Sequence, residues 1–154
     1  MVLIFCQAMY HQIKQATAKL VIQEQMIMVS VIVVEDNVDS MGVLCEFLQI
    51  KDLDVIGRGK NGQDAIKLYS QLHPDAVIMD VMMPEFDGYY GLEGIKKIDP
   101  NAVVVMVTAD KTDATRKKLM DLNASSVLYK PNDVNKIKPT VETLVSKKVQ
   151  SIKF

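Results

Sequence analysis

Five short apolar runs, rich in β-branched residues, alternate along this chain with stretches whose apolar residues fall at helical spacing. No other feature limits the possible folds as strongly. The first run, VSVIVV from Val29, has no polar interruption beyond Ser30, as a strand buried on both faces requires. Further runs end at Asp80 (VIMD), cover 102–107 (AVVVMV) and 126–129 (SVLY), and a shorter one lies at about 54–57. Between them, Val38, Met41, Leu44, Cys45 and Leu48 predict a helix over 38–50, introduced by Asn37 or Asp39 as cap. Ala65, Ile66, Leu68 and Tyr69 predict a second helix over 63–71. The helix after Gly88 carries Gly91 and Gly94, each costing about 1 kcal/mol relative to alanine, so packing of Leu92, Ile95 and Ile98 is expected to hold it. A charged helix over 112–122 follows, then a last one marked by Ile137, Val141, Leu144, Val145 and Val149, with Pro139 in its first turn or at a kink. Five strands alternating with five helices mean an α/β domain, a doubly wound parallel sheet covered on both faces.

Length and charge set the outer limits. The 154 residues suffice for one domain with a full core and exclude two catalytic domains. A net charge of -1 gives no electrostatic basis for direct nucleic-acid binding. Cys6 and Cys45 have no metal-type spacing and read as packing residues in a reducing compartment. No apolar run reaches the roughly eighteen residues of a membrane span, and no signal peptide is legible, so a cytoplasmic location is expected. Residues 1–28 form an extension of different character. Phe5, Met9, Ile13, Ala16 and Leu20 there fall loosely at helical spacing, for a helix that packs on the domain or on a partner. Alternatively Met26 or Met28, directly before the first strand, is the true start. His11 reads as a surface residue and His73 as a helix-end residue. The domain itself is placed at 29–150, with 151–154 as a tail.

Chemistry gathers where the strands stop. Four of the five end in functional residues: Glu35-Asp36, Asp80, Thr108 and Lys130. In a doubly wound sheet these ends share one edge, the edge at which ligands bind, although the residues lie 22 to 44 positions apart. Three carboxylates about 5 Å apart repel by roughly 3 kcal/mol per pair at an effective dielectric near 20. A compensating positive charge is therefore required. Lys130 offsets part of the repulsion, and a magnesium ion suits the remainder, since an all-oxygen site with few protein ligands favours it over zinc or calcium. Gly57, Gly59 and Gly62 do not form a phosphate loop, because the Gly-Lys-Ser/Thr ending is missing.

The acidic pair after the first strand, the run Asp80-x-x-x-Pro84-x-x-x-Gly88, Thr108-Ala109 after the fourth and Lys130-Pro131 after the fifth together resemble the response-regulator receiver domain of two-component signalling. The likeness covers 29–149, and the chain is similar to the stand-alone chemotaxis type. It implies a flavodoxin-like sheet of order 2-1-3-4-5 and a phosphorelay role, with Asp80 taking a phosphoryl group from a sensor histidine kinase or phosphotransfer protein. It further implies magnesium held by Asp36, Asp80 and the Met82 backbone carbonyl, with Glu35 acting through a water. Lys130 would pair with the phosphoryl oxygens and Thr108 would turn its hydroxyl toward them. Met82 and Asp110 would border the pocket and influence hydrolysis. The aromatic that the family usually carries three residues before the lysine is Val127 here, while Tyr129 directly precedes Lys130, a departure that leaves open the aromatic rotamer switch, a loop-only response or a surface role for Tyr129.

Two other functions compete. An aspartyl-phosphate phosphatase would need a second acid two residues beyond the nucleophile, where Met82 stands. A receiver-shaped interaction module that takes no phosphate would have no reason to hold Asp36, Asp80, Thr108 and Lys130 together. No output domain is expected after the last helix, so the signal would pass to a downstream target through the face of the fourth helix, fifth strand and fifth helix, or onward by phosphorelay. Arg116, Lys117 and Lys118 on that face read as a solvated helix surface or a docking patch.

Overall fold

The computed structural model describes residues 7, 9–15 and 28–152. From Val29 onward the order is β1 (Val29–Val34), α1 (Val38–Ile50), β2 (Leu53–Gly59), α2 (Gly62–Leu72), β3 (Ala76–Asp80), α3 (Gly88–Ile98), β4 (Val104–Thr108), α4 (Asp113–Asp121), β5 (Ser126–Tyr129) and α5 (Ile137–Ile152). A single 3₁₀ turn, Val134–Lys136, leads into α5. The strands form one parallel sheet in the expected order β2-β1-β3-β4-β5. Residues 9–15, in the extension for which a helix is one of the two expectations, are also helical, and Met9 and Ile13 there are exposed. Phe5, Cys6, Ala16, Leu20 and Met26 lie outside the described residues.

The sheet separates two apolar layers. Ile32, Val34, Val77, Met79, Val104 and Met106 point into the layer that Ala65, Tyr69, Leu92, Ile95 and Leu119 complete from α2, α3 and α4. Val31, Val33, Ile78, Val105 and Val107 point to the other, closed by Met41, Cys45 and Leu48 of α1 and by Ile137 and Val141 of α5. This two-sided burial is why the central strands read as unbroken apolar runs rather than as alternating ones. Side chains close the helix starts: Asn37, Asn61, Asp87 and Thr112 accept the amides of Ser40, Asp64, Tyr90 and Thr115, each cap contributing about 1 kcal/mol. Asn37, not Asp39, is thus the cap of α1. Pro139 sits in the first turn of α5, where no intrahelical donor is needed.

Three sequence expectations need correction. Ile98 does not help to hold α3, for it is 50% exposed, whereas Leu92 and Ile95 are fully buried. Gly91 is no mere weakness of that helix. A Cβ on Gly62 would stand 2.7 Å from the Gly91 amide nitrogen, so the two glycines let α2 and α3 touch backbone to backbone. β2 continues past 57 to Gly59, which places Gly59 too in the strand, pressed like Gly57 against α2.

Candidate functional site

Parallel register brings the strand ends level. Val34 of β1 lies beside Met79, Asp80 beside Val107, and Thr108 beside Tyr129, so Glu35, Asp80, Thr108 and Lys130 follow one another across the carboxyl edge. The Lys130 amide donates to the Thr108 carbonyl at 2.9 Å, fixing the two chain ends together. The Lys130–Pro131 peptide is cis.

After Asp80 the chain turns back on itself. The Gly88 amide donates to the Val81 carbonyl at 2.8 Å, and a Cβ on Gly88 would collide with the Asp80 carbonyl and come within 2.7 Å of the Val81 Cα. Only glycine fits that approach, which gives the eight-residue spacing from Asp80 to Gly88 its physical reason. Inside the loop, the Asp80 side chain accepts the amide of Val81 at 2.7 Å. Met82, in the same loop, is 68% exposed.

Glu35, Asp36 and Asp80 each bring a carboxylate oxygen within 4.8 Å of the others, the one acidic cluster among the described residues suited to a cation. Burial is graded: Glu35 is buried, Asp80 half-buried and Asp36 exposed. The Lys130 ammonium bridges two of the three, 2.7 Å from Glu35 Oε2 and 3.2 Å from Asp80 Oδ2. Burial alone would push the Lys130 pKa down, but the Glu35 hydrogen bond and the charges of Asp80 and Glu35 outweigh it and raise the pKa. Lys130 is thus firmly cationic. The second Glu35 oxygen accepts the Asn37 amide at 3.2 Å, so both of its oxygens are engaged within the protein. Asp36 has its carboxylate at the open side. An all-oxygen set with one exposed member fits a hydrated magnesium ion, which keeps several waters and asks for few protein ligands.

Thr108 is completely buried at the end of β4. Its hydroxyl oxygen accepts the Asp110 amide at 3.1 Å, which leaves the hydroxyl hydrogen to donate elsewhere. Asp110 in turn accepts the Thr112 amide at 2.9 Å and the Thr115 hydroxyl at 2.6 Å. Nothing in its spacing marks the half-buried Thr115 out in the sequence. The basic cluster on α4 is largely engaged at home. Lys117 pairs with Asp121 at 2.9 Å, and the Lys118 ammonium sits 3.7 Å from the Tyr89 ring centroid.

No helix among the described residues is long and apolar enough to cross a membrane. Comparison with known proteins agrees with this geometry. The family described as "Response regulator receiver domain" matches residues 31–142. The chemotaxis protein CheY of Thermotoga maritima is 32% identical over 101 residues, which are 66% of this chain and 84% of that protein. The response regulator protein VraR of Staphylococcus saprophyticus is 37% identical over 86 residues, 56% of this chain, and the chain spans 41% of that regulator's length. Among solved structures, the CheX-CheY-BeF3-Mg complex of Borrelia burgdorferi is similar at 26% identity and TM-score 0.70, covering 75% of this chain and 88% of the other. A receiver domain protein of Clostridium thermocellum shares the fold at TM-score 0.74 and 21% identity, over 80% of this chain and 98% of its own. The chain belongs to the response-regulator receiver-domain family, the phosphoacceptor domain of two-component signalling.

Proposed function

We propose that Asp80 is the phosphoacceptor and that the domain catalyses both its own phosphorylation from a phosphohistidine and its later hydrolysis. The observation that carries this is the Lys130 ammonium set between Glu35 and Asp80 beside the exposed Asp36 carboxylate. An oxygen of Asp80 attacks phosphorus, the bond from phosphorus to the donor imidazole nitrogen breaks, and that nitrogen keeps the electron pair. Such a transfer asks mainly for alignment and charge stabilisation. Asp36, Asp80 and the Met82 carbonyl would hold magnesium, with Glu35 reaching it through a water; the ion supplies neutralisation of the charge on the transferring group. Lys130 orients the attacking carboxylate and then pairs with a phosphoryl oxygen, as a compact ammonium does well. Thr108 donates its hydroxyl hydrogen to another. Asp110 and Met82 flank the pocket and limit the approach of hydrolytic water.

The phosphorylated domain gains roughly 1.5 to 2 negative charges, and its altered surface at α4, β5 and α5 is read by a downstream protein. The donor is a sensor histidine kinase or phosphotransfer protein in the cytoplasm. The signalling unit is residues 29–150. A phosphatase acting on small esters is disfavoured because Met82 has no proton to give.

Intact-mass measurement after incubation with acetyl phosphate, with and without magnesium, tests this on the wild type and Asp80→Asn. A magnesium-dependent gain of one phosphoryl group that the variant lacks is expected. No adduct on the wild type, while phosphate release shows that the reagent is not simply being turned over, would leave a phosphate-independent interaction module as the function.

A further inference from the structure

A run of hydrogen bonds leads from Thr108 out to α3. The Asp110 amide donates to Thr108 Oγ1 at 3.1 Å, and the Asp110 carboxylate accepts the Thr115 hydroxyl at 2.6 Å. Thr115 Oγ1 then accepts the Tyr89 hydroxyl at 3.3 Å. Chemistry fixes every direction. An amide only donates and a carboxylate only accepts, so the Thr115 hydrogen is committed to Asp110 and its oxygen is left for Tyr89. The Thr108 hydrogen takes no part in the run.

Tyr89 is tied to the site from its other side as well. It follows Gly88, whose amide is bonded to the Val81 carbonyl directly after Asp80. Its ring packs on the layer that contains Met106 and Leu119, against which Val127 also packs, and it carries the Lys118 ammonium of α4. Thr112, the cap of α4, holds the Thr115 amide at 3.3 Å, so the loop after β4 and the first turns of α4 move as one bonded unit.

We infer that Asp110, Thr115 and Tyr89 are positioning residues that set the rotamer of the Thr108 hydroxyl and carry its change to the seam between α3 and α4, where Tyr89 is the group that moves. The inference rests on the phosphoacceptor role of Asp80. A charge-assisted bond from Thr108 to a phosphoryl oxygen is stronger than the neutral bond from the Asp110 amide that is given up when the side chain rotates to reach it. When Thr108 turns, the Asp110 amide loses its acceptor and the loop follows. The contact from Tyr89 to Thr115 is the longest of the run and yields first, releasing the ring and Lys118 together. The two arrangements are those of a two-state element whose balance the phosphoryl group shifts.

The test uses the full chain labelled with 3-fluorotyrosine and observed by fluorine NMR. The chain has five tyrosines, and the signal absent from Tyr89→Phe is that of Tyr89. Beryllofluoride with magnesium stands in for the phosphoryl group, and its own bound resonance reports occupancy of Asp80 in the same spectrum. The expected result is a Tyr89 signal that moves by more than its linewidth in the wild type and in Thr115→Ser. In Thr115→Val, which keeps the shape but not the hydroxyl, beryllofluoride binds and the signal stays. Bound beryllofluoride with an unmoved Tyr89 in the wild type overturns the relay alone, as does a full shift in Thr115→Val. Absence of any bound resonance in the wild type overturns the phosphoacceptor role and the relay with it.

Discussion

The Lys130 ammonium stands nearer to Glu35, at 2.7 Å, than to Asp80, at 3.2 Å. The buried acid anchors the lysine, and the lysine then orients the more accessible carboxylate. With Glu35, Asp36 and Asp80 within 4.8 Å of one another, each pair repels by roughly 3 kcal/mol at an effective dielectric near 20, so removing the cation should be costly.

Lys130→Met should destabilise the metal-free protein by about 2 kcal/mol, less than for a fully sequestered ion pair because Lys130 keeps 30% exposure. Glu35→Gln added to that variant should restore much of the loss by removing the stranded charge. Urea denaturation of the single and double variants in chelator measures both effects. An additive double variant would show that Glu35 and Lys130 are not coupled.

Asp80→Asn should raise stability in chelator by about 1 kcal/mol, since it relieves repulsion that Lys130 only partly offsets. The same variant should lose most of the stabilisation by magnesium. For a bound ion at ten times its dissociation constant that gain is about 1.4 kcal/mol, and thermal melts across a magnesium titration read it directly.

Glycine substitutions separate helix propensity from packing. Gly42→Ala on α1 has no atom within 4 Å of the new methyl and should stabilise the protein by about 1 kcal/mol. Gly91→Ala gains the same propensity but presses a methyl to 2.7 Å from Met79 Sδ and 2.9 Å from the Gly62 Cα, and should come out destabilising by about 1–3 kcal/mol. Opposite signs in urea melts are the expected result.

Acid sensitivity should track Asp99. Burial alone would raise its pKa, but the Tyr69 hydroxyl, the Lys148 ammonium and the Asn101 amide bound to it bring the net value below the usual one. A lowered folded pKa means stability that is present above the unfolded value near 3.9 and is lost as pH falls through the folded value. Asp99→Asn should therefore lower the melting temperature at pH 7 by about 3 °C, for a loss of about 1 kcal/mol, and flatten the decline below about pH 4. An unchanged acid slope would show that another carboxylate governs it.

The sequence by itself determined the strand and helix order and which residues close the strands. The continuous apolar runs of β1, β3 and β4 mark central strands with both faces covered, and a parallel sheet puts their ends on one edge. It did not determine which partners those ends choose. That Glu35 rather than Asp80 is the nearer anchor of Lys130 depends on side-chain reach across 95 residues of chain. That Gly91 is a contact and not a defect depends on where α2 lies, and that Ile98 faces outward depends on where α3 stops. The bond from Tyr89 to Thr115 joins two helices whose spacing in sequence carries no sign of it. Local periodicity reports whether a residue faces the core, because burial has the period of the element. Contacts between elements have no period, and only the packed tertiary structure decides them.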